Sequence, residues 1–285
     1  MGLMPVLLDT QIIDEIVQRA LLEDVGTGDV TTLLTVPDGI EATGEFIATQ
    51  PGVLAGMPVV ERVFYRLNPK VRLERIVKEG QHFDANAVLA QAYGEARALL
   101  TGERVALNFL QRLSGIATLT ARFVETVKDL PVRICDTRKT TPGLRYLERY
   151  AVRVGGGYNH RFGLYDAVLI KDNHIAVGGG ITQAVHRVRH ALPHTMKVEV
   201  ECATLEQVQE ALEAGVDIIL LDNMTLDQLR EAVRIAKGRA FLEASGGVRL
   251  DTVRQIAETG VDAISAGALT HSAPAIDIKL ELRLK

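Results

Sequence analysis

KVEVECATLEQVQEALEAGVDIILLD, residues 197–222, carries one complete strand–helix–strand unit. Lys197 to Glu201 reads as a strand. Leu205, Val208, Ala211 and Leu212 then form one apolar stripe at helical spacing, and Asp217 to Asp222 reads as the next strand. The apolar core of such a strand is too continuous for a half-exposed antiparallel sheet, so it predicts burial on both faces. The same unit recurs outward in both directions. Further strands are expected at Val132 to Asp136, Ala167 to Lys171, Ala240 to Ser245 and Val261 to Ala266, and Leu226, Leu229, Ala232 and Val233 mark another helix. The last four strands end at Glu201, Asp222, Ser245 and Gly267, a period of roughly 22 residues. That is the cadence of a parallel α/β barrel. Six strands are fewer than the eight of a full barrel, which leaves two readings: a seventh strand within Ala151 to Leu164, or an incomplete barrel.

Before residue 115 the texture differs. Ile12, Ile13, Ile16, Val17, Ala20 and Leu21 predict a helix behind the cap Asp9, ended by Gly26 and Gly28. Short strand-like runs at Gly44 to Ala48, Val71 to Val77 and Ala87 to Tyr93, separated by glycines, predict a small antiparallel sheet. A longer helix from Leu99 carries Val105, Ala106, Phe109, Leu110, Leu113, Ile116 and Ala117 on one stripe. The expected division is an N-terminal domain over 1–115 and a barrel domain over 116–271, with the tail 272–285 a candidate to return to the first domain.

The chain has 285 residues, 47% hydrophobic and 24% charged, enough for a sizeable core and incompatible with disorder. Its longest apolar runs, such as Val216 to Leu221, meet charge within a few residues, far short of the ~20 that span a bilayer. The opening MGLMPVLLDT lacks a basic n-region and a cleavage site, and Val6 spoils a myristoylation signal after Gly2, so a cytoplasmic address is expected. Cys135 and Cys202 form neither a disulfide framework nor a metal-type spacing. A net charge of −4 argues against bulk attraction to nucleic acid, so an anionic ligand requires a local cluster.

Barrel active sites lie at the C-terminal strand ends, and here those ends are dense in reactive groups. The first strand runs into Asp136-Thr137-Arg138-Lys139. The next is preceded by Asn159-His160-Arg161 and ends in Lys171-Asp172-Asn173-His174; the following two end in Glu201 and Asp222. The last two end in Ser245-Gly246-Gly247 and Ser265-Ala266-Gly267, small residues whose backbone N–H groups can approach a phosphate. Cations on one side, with two acids and glycine turns on the other, suit an anionic substrate and a metal-bound polyphosphate. Mg²⁺ is the natural metal, because it takes one or two carboxylates with phosphate oxygens and water. Plainer readings exist for each part. Gly-rich turns are common after strands, Glu201 and Asp222 have the residue type of helix caps, and the arginines that of surface charges. Lys171, after the apolar run Ala167 to Ile170, needs an anionic partner or a depressed pKa. His186, His190 and His194 imitate a metal-binding helix face, but Pro193 breaks the helix before the third, so a solvated face is expected. Gly155 to Gly157 and Gly178 to Gly180 lack a phosphate-loop context, and the two cysteines read as core thiols.

The runs Asp136 to Arg145, Gly155 to Arg161, Leu169 to Ile175, Glu199 to Glu201, Leu220 to Met224, Glu243 to Val248 and Ile264 to Pro274 closely resemble the quinolinate phosphoribosyltransferase family, the carboxylating nicotinate-nucleotide pyrophosphorylases. Earlier signatures agree: Glu23-Asp24-Val25-Gly26 with Gly28-Asp29, and Glu103 to Thr118. The resemblance covers nearly the whole chain. It implies an α/β fold, an N-terminal α/β sandwich domain joined to an incomplete parallel α/β (TIM-like) barrel, assembled as a homodimer or an oligomer of dimers. It implies synthesis of nicotinate mononucleotide, pyrophosphate and CO₂ from quinolinate and phosphoribosyl pyrophosphate with Mg²⁺, during NAD synthesis. By position, Arg138, His160, Arg161 and Lys171 would meet the quinolinate carboxylates, with Arg104 arriving from the neighbouring subunit. Lys139, and Lys171 shared between the ligands, would contact the donor. Glu201 and Asp222 would hold its ribose hydroxyls and Mg²⁺, directly or through water, and Ser245, Gly246, Gly247 and Gly267 its phosphate. Three rivals stay open: a related phosphoribosyltransferase for another anionic acceptor, an aldolase using Lys171 as a Schiff base, and a phosphosugar-binding module without turnover.

Overall fold

The structure, a computed structural model, describes residues 8–284. The expectations attached to Gly2 and Val6 lie outside these residues. Contacts divide the chain into two units. The first takes residues up to Ala121, Thr140–Gly156 and Ser272 onward; the second takes Arg122–Lys139 and Gly157–His271. Among the described residues no helix is long and apolar enough to cross a membrane.

The first unit opens with α1 (Thr10–Val25), capped where the Asp9 carboxylate accepts the Gln11 N–H and ended at Gly26, then α2 (Val30–Thr35). β1 (Glu41–Ala48), β2 (Gly52–Val53), α3 (Met57–Leu67), β3 (Arg72–Arg75), β4 (His82–Phe83) and β5 (Val88–Glu95) follow. α4 (Ala96–Thr126) runs through the end of the unit. β1 alternates buried and half-buried residues, the signature of a sheet with one covered face, and Phe46 on it meets Phe64 of α3 edge-on at 6.2 Å. The C-terminal strand, Ile278–Leu284, pairs antiparallel with β1, completing a four-stranded sheet in which β1 lies between it and β5, with β3 beyond.

The second unit holds β6 (Arg133–Cys135) and, after the excursion through α5 (Arg145–Val154) in the first unit, β7 (Val168–Ile170). α6 (Asp172–Gly178), α7 (Ile181–Ala191), β8 (Val198–Cys202), α8 (Leu205–Glu213), β9 (Ile218–Asp222), α9 (Leu226–Ala236), β10 (Phe241–Ser245), α10 (Val253–Ala257), β11 (Ala263–Ser265) and α11 (Ala268–His271) complete it. The C-terminal strand is β12. All six strands expected from the sequence are present, and every pairing among them is parallel, in the order β6-β11-β10-β9-β8-β7. No seventh strand forms within Ala151 to Leu164. Residues up to Val154 are helical, and the rest contributes one parallel bridge, Tyr158 to Cys135, at the β6 edge. The barrel is therefore incomplete.

The units cut the chain differently from the expected boundary at residue 115. That boundary falls inside α4, and residues 116–121 and 140–156 group with the first unit. The reason is burial of charge. Glu148 of α5, fully buried, accepts hydrogen bonds from Arg112 of α4 at 2.9 Å and from the Thr141 hydroxyl at 2.8 Å, and Tyr150 donates to Glu79 at 2.5 Å. A carboxylate without water must keep such partners, so the segment cannot leave them. Gly115 inside α4 answers to the returning tail: a Cβ there would stand 2.1 Å from the Pro274 carbonyl oxygen.

Candidate active site

The strand ends of the second unit converge on a cavity of about 420 Å³. It is lined by Arg138, Lys139, His160, Arg161, Lys171, Glu201, Asp222, Ser245, Gly246 and Gly247 from the expected set, together with Thr137, Leu169, Leu220, Asn223, Glu243 and Ser265. A larger cavity of about 980 Å³ in the first unit is walled by scattered surface groups such as Asp38, Lys70, Arg72 and Glu74, without comparable convergence of cations and glycine turns.

Alternation along strands explains who lines the second-unit cavity. Residues two apart share a face, so Leu169 accompanies Lys171, Leu220 accompanies Asp222, and Glu243 accompanies Ser245. Across the β7–β8 seam the Lys171 Nζ lies 2.8 Å from Glu201 Oε2, the anionic partner this lysine required. Asp222 stands opposite Ser245 in register, and its Oδ2 accepts from the Asn223 side chain at 2.9 Å. Neither acid caps a helix; those positions belong to Thr204 and Thr225. The glycine turn is built around Asn223, whose N–H donates to the Ser245 carbonyl at 2.9 Å. Gly246 has φ +94°, and a Cβ on it would strike the Asn223 side chain at 2.2 Å. Gly267 lies against the Lys139 stem, 2.9 Å from where its Cβ would be, and the Lys139 carbonyl accepts the Thr270 hydroxyl at 2.8 Å.

The cationic wall is held from beneath. Asp136, fully buried at the end of β6, accepts the His160 backbone N–H at 2.8 Å and the Asn159 side-chain amide. Arg161 donates to the Ala167 carbonyl at 3.1 Å, while burial and the neighbouring Arg138 charge push its pKa below the ordinary value, leaving it a cation. Two guanidiniums near enough to repel are arranged for an anion with more than one carboxylate.

Beneath the same wall lies a cluster that the expected set did not contain. His160 Nε2 is 3.3 Å from Glu199 Oε2 and 3.4 Å from Glu243 Oε1, and both glutamates are about 95% buried. Burial first, and then the Glu199 charge, push the Glu243 pKa up to about 7 against the opposing pull of His160. Burial opposes charge on the His160 ring, but the Glu199 hydrogen bond and both carboxylate charges outweigh it and raise its pKa. The sequence did carry a signal for the glutamates: acids inside Val198-Glu199-Val200 and Leu242-Glu243-Ala244, in otherwise apolar strands.

Arg104 is exposed on α4 and belongs to the first unit, outside this cavity's lining. His186, His190 and His194 are exposed, as expected of a solvated face. Cys135 and Cys202 are buried free thiols, and burial raises both pKa values, that of Cys202 to about 12.

Comparisons with known proteins identify the family. Residues 29–114 match the model of the quinolinate phosphoribosyl transferase N-terminal domain, and residues 116–281 that of its C-terminal domain. The chain is 44% identical over 270 residues to the probable carboxylating nicotinate-nucleotide pyrophosphorylase of Bacillus subtilis, covering 95% of this chain and 93% of that one. It is 46% identical over 276 residues to the corresponding protein of Synechocystis, covering 95% and 92%. The crystal structure of NadC from Streptococcus pyogenes superposes with a TM-score of 0.94 at 42% identity, covering 98% of this chain and 99% of that one. The chain belongs to the quinolinate phosphoribosyltransferase family.

Proposed function

We propose that this chain transfers phosphoribosyl from phosphoribosyl pyrophosphate to quinolinate with loss of CO₂, giving nicotinate mononucleotide and pyrophosphate for NAD synthesis. The observation that carries the reading is one cavity lined together by Arg138 and Arg161, the acids Glu201 and Asp222, and the Gly246-Gly247 turn. The guanidiniums suit the two carboxylates of quinolinate, and Lys171, already paired with Glu201, sits where it can bridge acceptor and donor. In the proposed assignment His160 lies in the wall beside Arg161, Lys139 faces the pyrophosphate, and Ser245, Gly246, Gly247 and Gly267 receive the donor phosphate.

The residues present fit Mg²⁺. Glu201 and Asp222 offer hard oxygens at the cavity rim, and each has one carboxylate oxygen outside the contacts with Lys171 and Asn223. Bound there with the donor, the ion would supply charge neutralisation for the leaving pyrophosphate. The chain's own residues hold the ring. Arg138 and Arg161 fix the planar dicarboxylate so that its nitrogen faces the anomeric carbon, where departure of pyrophosphate develops positive charge. The nitrogen's lone pair forms the new C–N bond on the opposite face. The ribosylated ring is then cationic next to the carbon bearing the 2-carboxylate, so the bond to CO₂ breaks with its electron pair left on that carbon, which takes a proton. The substrate is its own electron sink. A Schiff-base role for Lys171 fits poorly, because an ion-paired ammonium is no nucleophile.

The same reading assigns a homodimer in which Arg104 reaches the partner's cavity, supported by its exposure beside Asn108 on α4. It also assigns a cytoplasmic address, supported by two buried reduced thiols. The function is tested by mass-spectrometric identification of the product. Nicotinate mononucleotide formed only when both substrates are present supports it, and its absence overturns it.

A further inference from the structure

Three carboxylates are buried beneath a cavity that is read as binding anions. Asp136 is accounted for by two hydrogen bonds to the Asn159–His160 turn. Glu199 and Glu243 are different: one oxygen of each, Oε1, is buried without a hydrogen-bond partner, and the polar group they share is the His160 ring. Buried acids in this state are costly unless they hold something that matters.

Three such ligand atoms within 4.8 Å of one another suggest a metal ion. The other side of the ring argues against it. His160 Nδ1 accepts the Arg161 backbone N–H at 2.7 Å, so Nδ1 carries a lone pair and no proton. A neutral imidazole bound to metal through Nε2 must carry its proton on Nδ1, which this contact forbids. The same contact leaves no room for a proton on Nδ1 and so opposes the doubly protonated ring, which the neighbouring carboxylates by themselves would favour. What remains is one tautomer, with the proton on Nε2 directed at Glu199 Oε2.

We propose that Glu199 and Glu243 are positioning residues that hold His160 as a neutral, Nε2-protonated ring, on which the Arg161 backbone is hung, so that His160 is a post for Arg161 and not a cationic ligand of the acceptor. The arrangement is closed on every side. The His160 backbone N–H goes to Asp136, the ring Nε2–H to Glu199 Oε2 with the Glu243 carboxyl 3.4 Å away in charge contact only, and Nδ1 to the next residue, so one turn is anchored to the ends or interiors of β6, β8 and β10. Arg161 inherits that fixity and adds its own bond to the Ala167 carbonyl. A guanidinium so held meets a planar carboxylate with little further ordering. For Arg161 to be the acceptor's ligand rests on the proposed function; the state of the His160 ring does not.

Two measurements on the full-length protein separate these. The first is ¹⁵N NMR of histidine-labelled protein at neutral pH, with the His160 signal identified by its loss in His160→Gln. The expected pattern is an unprotonated Nδ1 and a protonated Nε2. A doubly protonated ring, or a proton on Nδ1, overturns the proposal whatever the enzyme catalyses. The second is steady-state kinetics of Glu199→Leu/Glu243→Leu beside Glu199→Gln/Glu243→Gln, since glutamine keeps an acceptor oxygen and leucine does not. The leucine pair is expected to raise KM for quinolinate about tenfold, from misplacement of Arg161, with KM for the phosphoribosyl donor unchanged, and the glutamine pair to recover most of the loss. Equal effects on both substrates, no effect, or equal damage by glutamine overturns the proposal. Should the leucine pair not fold, the NMR pattern and the glutamine pair still decide it. If the wild-type protein turned over no quinolinate, the proposed function would fail while the ring assignment stood on its own reading.

Discussion

Lys171 and Glu201 join the ends of two neighbouring strands through a contact of 2.8 Å in the wall of the cavity. Lys171 remains 44% exposed, so the pair adds little to stability. Glu201→Gln should change unfolding free energy by less than about 1 kcal/mol. Donor use, measured as kcat/KM for phosphoribosyl pyrophosphate, should fall at least about tenfold, because the lysine loses its anchor and the metal one of its acids. An unchanged donor kcat/KM would remove Glu201 from the donor site.

Arg138→Ala and Arg161→Ala should each weaken quinolinate binding by roughly 1.5–3 kcal/mol, about ten- to hundredfold, the worth of a charge-assisted hydrogen bond to a carboxylate. Donor binding should change far less. Calorimetric titration of both ligands into each variant gives the comparison, and equal losses for the two ligands would contradict the assignment.

The two glycines of the β10 turn should differ. Gly246 has φ +94° and a Cβ there would meet Asn223 at 2.2 Å, whereas Gly247 has φ +58° with nothing within 4 Å. Gly247→Ala should cost about 1–2 kcal/mol of left-handed backbone strain. Gly246→Ala must also displace Asn223, whose N–H ties the turn to Ser245, so it should raise the donor KM more than Gly247→Ala does. Kinetics of the two variants side by side settle the order.

Glu243 gives a pH signature in stability. Its ordinary pKa of 4.5 rises to about 7 on folding because the carboxyl is buried beside Glu199. Between those values the unfolded chain is ionised there and the folded chain is not. Wild-type stability should therefore fall as pH rises through that window, by at most about 3 kcal/mol from this group, and level off above it. Glu243→Gln should lose this component, so urea unfolding at both ends of the window should show the variant gaining on the wild type as pH rises. A constant difference would contradict the buried, protonated state.

Much of the second unit was legible because its strands are apolar and end in chemistry. Val198 to Cys202, Ile218 to Asp222 and Phe241 to Ser245 lie where the strands around Glu201, Asp222 and Ser245 were expected. The division of the chain was less legible. Residues 140–156 follow Lys139 without a break in composition, and only the tertiary partners of Glu148 and Tyr150 show why they group with the first unit. Glu199 and Glu243 were missed for a related reason. An acid in mid-strand declares a cost, but which ring it faces depends on three strands meeting at His160, and no local pattern encodes that.

The central claim is a coupled transfer and decarboxylation, and stoichiometry tests it most directly. Purified protein given quinolinate, phosphoribosyl pyrophosphate and Mg²⁺ should release CO₂ and pyrophosphate in equal amounts, with neither released when one substrate is withheld. Pyrophosphate without CO₂, or equal turnover with nicotinate in place of quinolinate, would contradict it.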